Sequence, residues 1–385
     1  MPAPALRLNL FPDSAISGMS KLAAEYHAIN LSSGYPDFDP PAELLAAAEQ
    51  ALRNGHNQYT DTRGAPRYRS ALAKKQSRFM GMEIDPDAHL TATSGGTEAM
   101  LLALLAVCNP GDKAIVFSPY YESYSPDLAL AGAQPLVISL HPPKFSLEVE
   151  ELRRAFQLGA RAVILCNPSN PSGKVFTPAE LQLIAALAQE YDAVVITDDV
   201  YEHIVYKPYR HTYISSLPGM FERTIACGSL SKTYSITGWR LGYVLAPPRL
   251  TAAIHNLHTY VNLNPPVPLM EAAATALAFP DSYYEQLLAE YTQRRDLLLG
   301  YLDEAGLPYI EPQGAYFVLV DISATNFTED VAFCHWLVKE IGIAAVPGSS
   351  FFYEPVKNYI RLNFAKREDT LNEAGLRLMT IKERL

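Results

Sequence analysis

Cysteine is scarce in this chain. Four residues among 385 (Cys108, Cys166, Cys227 and Cys334) are scattered without CxxC spacing, which argues against a disulfide framework and against a thiolate metal site. Two of the four end apolar, strand-like runs, so buried thiols are expected. Positive charge is also in deficit: 31 Lys and Arg face 41 Asp and Glu, a net charge of -10. That balance argues against nucleic acid or an anionic membrane as a principal partner, and it requires any anionic ligand to be held by local arginines and backbone N–H groups. No apolar run approaches the ~20 residues of a membrane span. Residues 1–9 lack the apolar stretch of a signal peptide, which makes the cytoplasm the expected compartment. Internal repeats and low-complexity tracts are missing as well.

What is present is a globular composition, 49% apolar and 19% charged, in a chain longer than one ordinary core. From residue 90 to 246 short apolar runs alternate with helical patterns. Strands are expected at 90–93, 114–118, 136–139, 162–166, 193–197, 224–227 and 242–246, each β-branched or aliphatic and bounded by Pro, Gly, Asn or Asp. Between them, Thr177-Pro178-Ala179-Glu180 reads as a capping box with proline at the first helical position. The alternation implies an α/β fold: a large domain with a mostly parallel seven-stranded sheet covered by helices. A long helix is expected over 281–305, stopped by Gly306-Leu307-Pro308, followed by short alternating strands at 315–321 and 358–364. The expected division is a large domain over 41–280 and a smaller α+β domain built from 1–40 and 281–385.

Several polar clusters directly follow expected strands, where ligands of open parallel sheets collect. In Cys227-Gly228-Ser229-Leu230-Ser231-Lys232-Thr233 a small-residue loop presents one lysine at a strand end. Desolvation there lowers an amine's pKa and makes it a nucleophile towards an aldehyde. In Thr93-Ser94-Gly95-Gly96-Thr97-Glu98, glycines and backbone amides at a helix start make an anion site suited to phosphate, provided that Glu98 points away. Further clusters are Asn167-Pro168-Ser169-Asn170-Pro171-Ser172-Gly173, Thr197-Asp198-Asp199-Val200-Tyr201 and Ser118-Pro119-Tyr120-Tyr121. In Tyr359-Ile360-Arg361-Leu362-Asn363-Phe364 the alternation puts Arg361 on a polar face opposite Ile360, Leu362 and Phe364. Its guanidinium suits a carboxylate through two parallel hydrogen bonds.

Seen together, these segments resemble the class I/II pyridoxal-phosphate aminotransferases, the fold type that includes aspartate aminotransferase, over roughly residues 31 to 364. The closest look is to kynurenine/glutamine-type and methionine-type members. The resemblance implies pyridoxal 5'-phosphate as cofactor, held covalently by the amine of Lys232, which also moves the substrate's α-proton. It implies phosphate contacts from Gly96, Thr97, Ser229 and Arg240, and a stacking ring from Tyr121. Asn170 and Tyr201 would bond the phenolic oxygen, and a carboxylate would stand beside the pyridine nitrogen. The Asp-x-x-Tyr spacing favours Asp198 for that carboxylate, although the doublet leaves Asp199 open. Arg361, Asn170 and the Gly34 backbone in Ser33-Gly34-Tyr35-Pro36 would take the substrate α-carboxylate. Tyr59, in Gln58-Tyr59-Thr60-Asp61, would reach the neighbouring subunit's phosphate, which makes a homodimer the expected assembly. The implied reaction is ping-pong transfer of an amino group from an L-amino acid to a 2-oxo acid. With Tyr35, Tyr59, Tyr120 and Tyr121 lining an aromatic pocket, neutral or aromatic donors are favoured. A β-lyase (C–S lyase) on the same scaffold is the alternative. A non-catalytic effector-sensing module of a transcription regulator is disfavoured, because the chain has no spare basic segment to bind DNA.

Overall fold

The computed structural model describes residues 5–11 and 13–384. Seven strands form the large sheet: β1 (Leu90–Thr93), β2 (Lys113–Ser118), β3 (Gln134–Ser139), β4 (Ala160–Cys166), β5 (Val194–Asp198), β6 (Thr224–Ser229) and β7 (Gly242–Leu245). Their order is β1-β7-β6-β5-β4-β2-β3. All pairs are parallel except those of β7, which runs against both of its neighbours. Each expected strand is thus present, with ends shifted by no more than a few residues.

These strands read as continuous apolar runs because both faces are covered. Ile115, Val163 and Val195 point to a cluster shared with Leu181, Ile184 and Leu187 of the helix Pro178–Glu190. Their neighbours Val116, Ile164 and Ile196 point the other way, onto Ala99, Ala103 and Leu104 of the helix Gly95–Val107. The capping box of the first helix is formed: the Thr177 hydroxyl accepts from the Glu180 amide at 3.2 Å, and the Glu180 carboxylate accepts from the Thr177 amide at 2.8 Å.

A second, antiparallel sheet contains β8 (Tyr309–Ile310), β9 (Phe317–Asp321), β10 (Val346–Pro347) and β11 (Tyr359–Asn363), ordered β10-β11-β9-β8. The long helix spans Asp281–Ala305 and ends on Gly306, whose φ of 64° is one that glycine adopts without steric cost. Leu298, Leu302, Val318, Val320, Ile360 and Leu362 share a core with Met19, Ala23 and Leu31 of the N-terminal segment. A short parallel pairing of Ile29–Asn30 with Ile343–Ala344 ties that segment down. One expectation is corrected here. Alternation along β11 does not separate a core face from a solvated one, because Arg361 and Asn363 are buried as completely as Leu362. All four cysteines are free and buried.

Candidate active site

The carboxyl ends of β1, β2, β4, β5 and β6 open onto one cavity of about 330 Å³, closed from the far side by β9, β11 and the segment around Gly34. Of the candidate residues named from the sequence, all but Tyr59, Tyr120 and Asp199 line it. Tyr59 is 81% exposed and stands away from the cavity of its own chain.

At one end the helix Gly95–Val107 begins with Gly95, Gly96 and Thr97. Gly95 has φ +77°, and a Cβ there would run into the Arg240 guanidinium, while Gly242 packs directly on the Gly95 backbone. Arg240 is held over this turn by Nη1 donating to Thr237 O (3.0 Å) and Nη2 donating to Ser94 O (3.2 Å). Ser229 accepts from the Ser231 amide at 3.1 Å, and the Ser231 hydroxyl is buried with no partner among the described residues. Glu98 does turn away: it bonds His258 at 2.9 Å and Asn262 at 3.0 Å. Helix-terminal amides, an arginine and small hydroxyls therefore converge with no opposing carboxylate, an arrangement suited to a dianion.

At the floor, Asp198 is the last residue of β5 and is buried. Its Oδ2 accepts from the Tyr124 hydroxyl at 2.6 Å, whereas Oδ1 has no partner among the described residues. Burial pushes this carboxyl above its ordinary range, opposed by the Tyr124 bond, the Val200 amide and the charge of Lys232. Asp199 points elsewhere, to the Thr197 hydroxyl and towards His211 (3.7 Å), and does not line the cavity. Of the doublet, it is Asp198 that lines the cavity. Asp127, one helical turn beyond Tyr124, also lines the floor, and burial with the nearby Asp198 charge pushes it up to about 7. Tyr121 and Tyr201 complete this part, Tyr201 meeting Tyr316 edge-on at 5.2 Å.

At the far end Arg361 is 0% exposed, stacked 4.1 Å from the Phe317 ring centroid and 4.7 Å from that of Phe351. Nη1 donates to Asn170 Oδ1 (2.8 Å) and Nη2 to Ser32 O (3.0 Å), while Nε has no partner among the described residues. Among the described residues no carboxylate forms an ion pair with it, and burial lowers its pKa to about 10. Lys232 lies between these ends. Its Nζ donates to Gly34 O at 2.7 Å, an acceptor shared with the Tyr316 hydroxyl at 2.9 Å. Burial, then the Arg240 charge, lower its pKa to about 8, with Asp198 opposing and Arg361 adding.

The structure also corrects and extends the reading. Tyr120 does not line the cavity; it stacks on Tyr124 and its hydroxyl meets Ser125 at 3.1 Å. Tyr124, Ser231 and Glu122 were missed. Each sits within three residues of a recognised one, so a helical-turn reading from Tyr121 reaches Tyr124. The N-terminal contributors Ser14, Ile16 and Ser17 carry no local signal and reach the cavity only through the fold.

A sequence profile described as "Aminotransferase class I and II" matches residues 26–378. A methionine aminotransferase of Escherichia coli (strain K12) is 38% identical over 376 residues, covering 97% of both chains. Kynurenine–oxoglutarate transaminase 1 of Homo sapiens is 36% identical over 402 residues, covering 95% of both. Among solved structures, that of an Escherichia coli protein identified with a methionine aminotransferase function superposes with a TM-score of 0.95 at 37% identity, covering 99% of this chain and 100% of that one. This chain belongs to the class I and II aminotransferases, enzymes of the aspartate aminotransferase fold that use pyridoxal phosphate. It is an aminotransferase, and nothing in these comparisons favours the β-lyase alternative.

Proposed function

We propose that this aminotransferase moves the amino group of a neutral or aromatic L-amino acid to a 2-oxo acid by ping-pong turnover, with Lys232 as both the cofactor-holding amine and the proton carrier. The observation that carries this reading is the buried Lys232 amine, bonded to Gly34 O, with its pKa lowered to about 8 in the cavity that Asp198 and Arg361 also line. When bound, pyridoxal phosphate supplies the aldehyde that takes up the amino group and a ring that accepts the electron pair left at Cα. The residues fit that group. The glycine cradle at Gly95 and Gly96, with Thr97, Ser229 and Arg240, suits the phosphate. The unpartnered Asp198 Oδ1 suits a protonated ring nitrogen, Tyr121 suits stacking, and Asn170 and Tyr201 suit the phenolic oxygen.

In this reading Arg361 and the Gly34 segment orient the substrate by its α-carboxylate, with Asn170 fixing the guanidinium plane. Lys232 Nζ, unprotonated in part near neutral pH, takes the proton from substrate Cα. The burial of Arg361 and Asp198 keeps water from competing for either charge. Arg240 and Arg361 are the arginines lining the cavity among the described residues, which supports substrates with a single carboxylate.

The assembly in this reading is a homodimer in which Tyr59 reaches the partner's cavity. Tyr59 (81% exposed) and Tyr260 (92%) lie on segments joined by the Thr60 amide bonding Asn264 at 3.2 Å, and their exposure supports a shared contact surface. The proposed compartment is the cytoplasm, and no helix among the described residues is long and apolar enough to cross a membrane. The proposed division remains 41–280 for the cofactor-holding part and 1–40 with 281–385 for the smaller one. Lys232→Ala is expected to abolish both the absorbance of the lysine-bound cofactor and turnover of L-methionine with a 2-oxo acid; retained turnover would refute the assignment.

A further inference from the structure

We propose that the Glu122 carboxylate sets side-chain selectivity at this site, turning away amino acids with a second carboxylate and admitting their uncharged amide counterparts. The inference rests on the proposed substrate reading and names the residue that enforces it. Glu122 follows Tyr121 on the loop after β2 and lines the cavity. Its Oε1 accepts from the Ser14 hydroxyl at 2.6 Å, and Ser14 in turn accepts from the Ser17 amide at 3.1 Å, capping the helix Ala15–Glu25. Ser14, Ile16 and Ser17 line the same side of the cavity, so the carboxylate is fixed at the seam where the N-terminal helix closes over it.

Oε2 accepts no hydrogen bond among the described residues, and Glu122 has no ion-pair partner among them. Its charge is felt at its chain neighbour Tyr121 and at Arg361, which puts it within electrostatic reach of the Arg361 end of the cavity. An amino acid with one carboxylate satisfies Arg361. A second carboxylate of the same substrate meets Glu122 instead of a cation, whereas an amide N–H finds an acceptor there. Like charges in a partly desolvated cleft give a discrimination of about ten- to a hundredfold.

The test compares L-glutamine with L-glutamate, which differ only in amide against carboxylate, on the holoenzyme. In E122Q the ratio of kcat/KM for glutamine over glutamate is expected to fall at least tenfold (about the low end of the like-charge range), through a lower glutamate KM. In E122D, which keeps the charge, the ratio is expected to stay within about threefold of the parent. Calorimetric titration with glutarate and glutaramate supplies a readout without turnover, and E122Q should tighten glutarate about tenfold relative to glutaramate. An unchanged ratio in E122Q, or an equal collapse in E122D, overturns the proposal. Poor turnover of every neutral donor would count against the substrate reading, while the glutarate titration would still decide Glu122.

Discussion

Replacing Arg361 by lysine tests the carboxylate end of the site with the least disturbance, because the charge is retained. The guanidinium is clamped between Phe317 and Phe351, with one nitrogen on Asn170, one on Ser32 O and Nε unpaired. An ammonium offers a single point in place of that planar fork, so one charge-assisted bond to the substrate is lost, worth about 1.5–3 kcal/mol. At 1.4 kcal/mol per decade this is roughly a ten- to hundredfold fall in kcat/KM for L-methionine. The same change leaves Asn170 Oδ1 or Ser32 O without a buried donor, at about 1–3 kcal/mol of stability. Initial rates with varied L-methionine at fixed 2-oxo acid, read beside the absorbance of lysine-bound cofactor, separate lost substrate binding from lost cofactor. A variant with intact cofactor absorbance and kcat/KM within about twofold of the parent would refute the reasoning, since the lost bond predicts at least tenfold.

Asp198→Asn should lower kcat by ~10² or more through loss of the charge at the cavity floor, whereas Asp199→Asn, directed at Thr197 and His211, should act mainly on stability; equal kinetic losses would contradict the geometry. Gly95→Ala forces a φ of +77° on alanine and a Cβ into Arg240, so cofactor affinity in an equilibrium titration should drop and thermal stability should fall by about 1–3 kcal/mol. His203 and His211 are held down to about 4 by burial, so the unfolded chain binds more protons between pH 6.5 and 4. Stability should therefore be fully present above pH 6.5 and fall as pH drops through that window, with His211→Gln showing a shallower loss in denaturant unfolding.

Reading the chain located the strands and many of the residues that line the cavity, for a local reason. A buried strand announces itself through apolar neighbours, and the residues after it are set by chain continuity. That is how the loops holding Asn170, Asp198 and Lys232 were found from their own flanks, while the resemblance singled out Asn170 and Asp198 within them. Tyr120 was misjudged because adjacent aromatics after β2 point in different directions, and only packing on Tyr124 decides which faces the cavity. Arg361 was expected on a polar face because alternation reveals two faces but not what covers the second.

By itself the sequence determined the alternation of strands and helices, the polar loops at the strand ends, and the resemblance to the aminotransferases. Tertiary structure decided which of those groups meet: Lys232 with Gly34 across 198 residues, Arg361 with Asn170 across 191, Tyr124 with Asp198 across 74. It also decided that Asp198 rather than Asp199 faces inward, and that Glu122 stands at the seam with the N-terminal helix. The physical reason is that secondary structure follows from neighbours a few positions apart. The field at a charged atom depends instead on everything within a few ångströms, and most of that is distant along the chain.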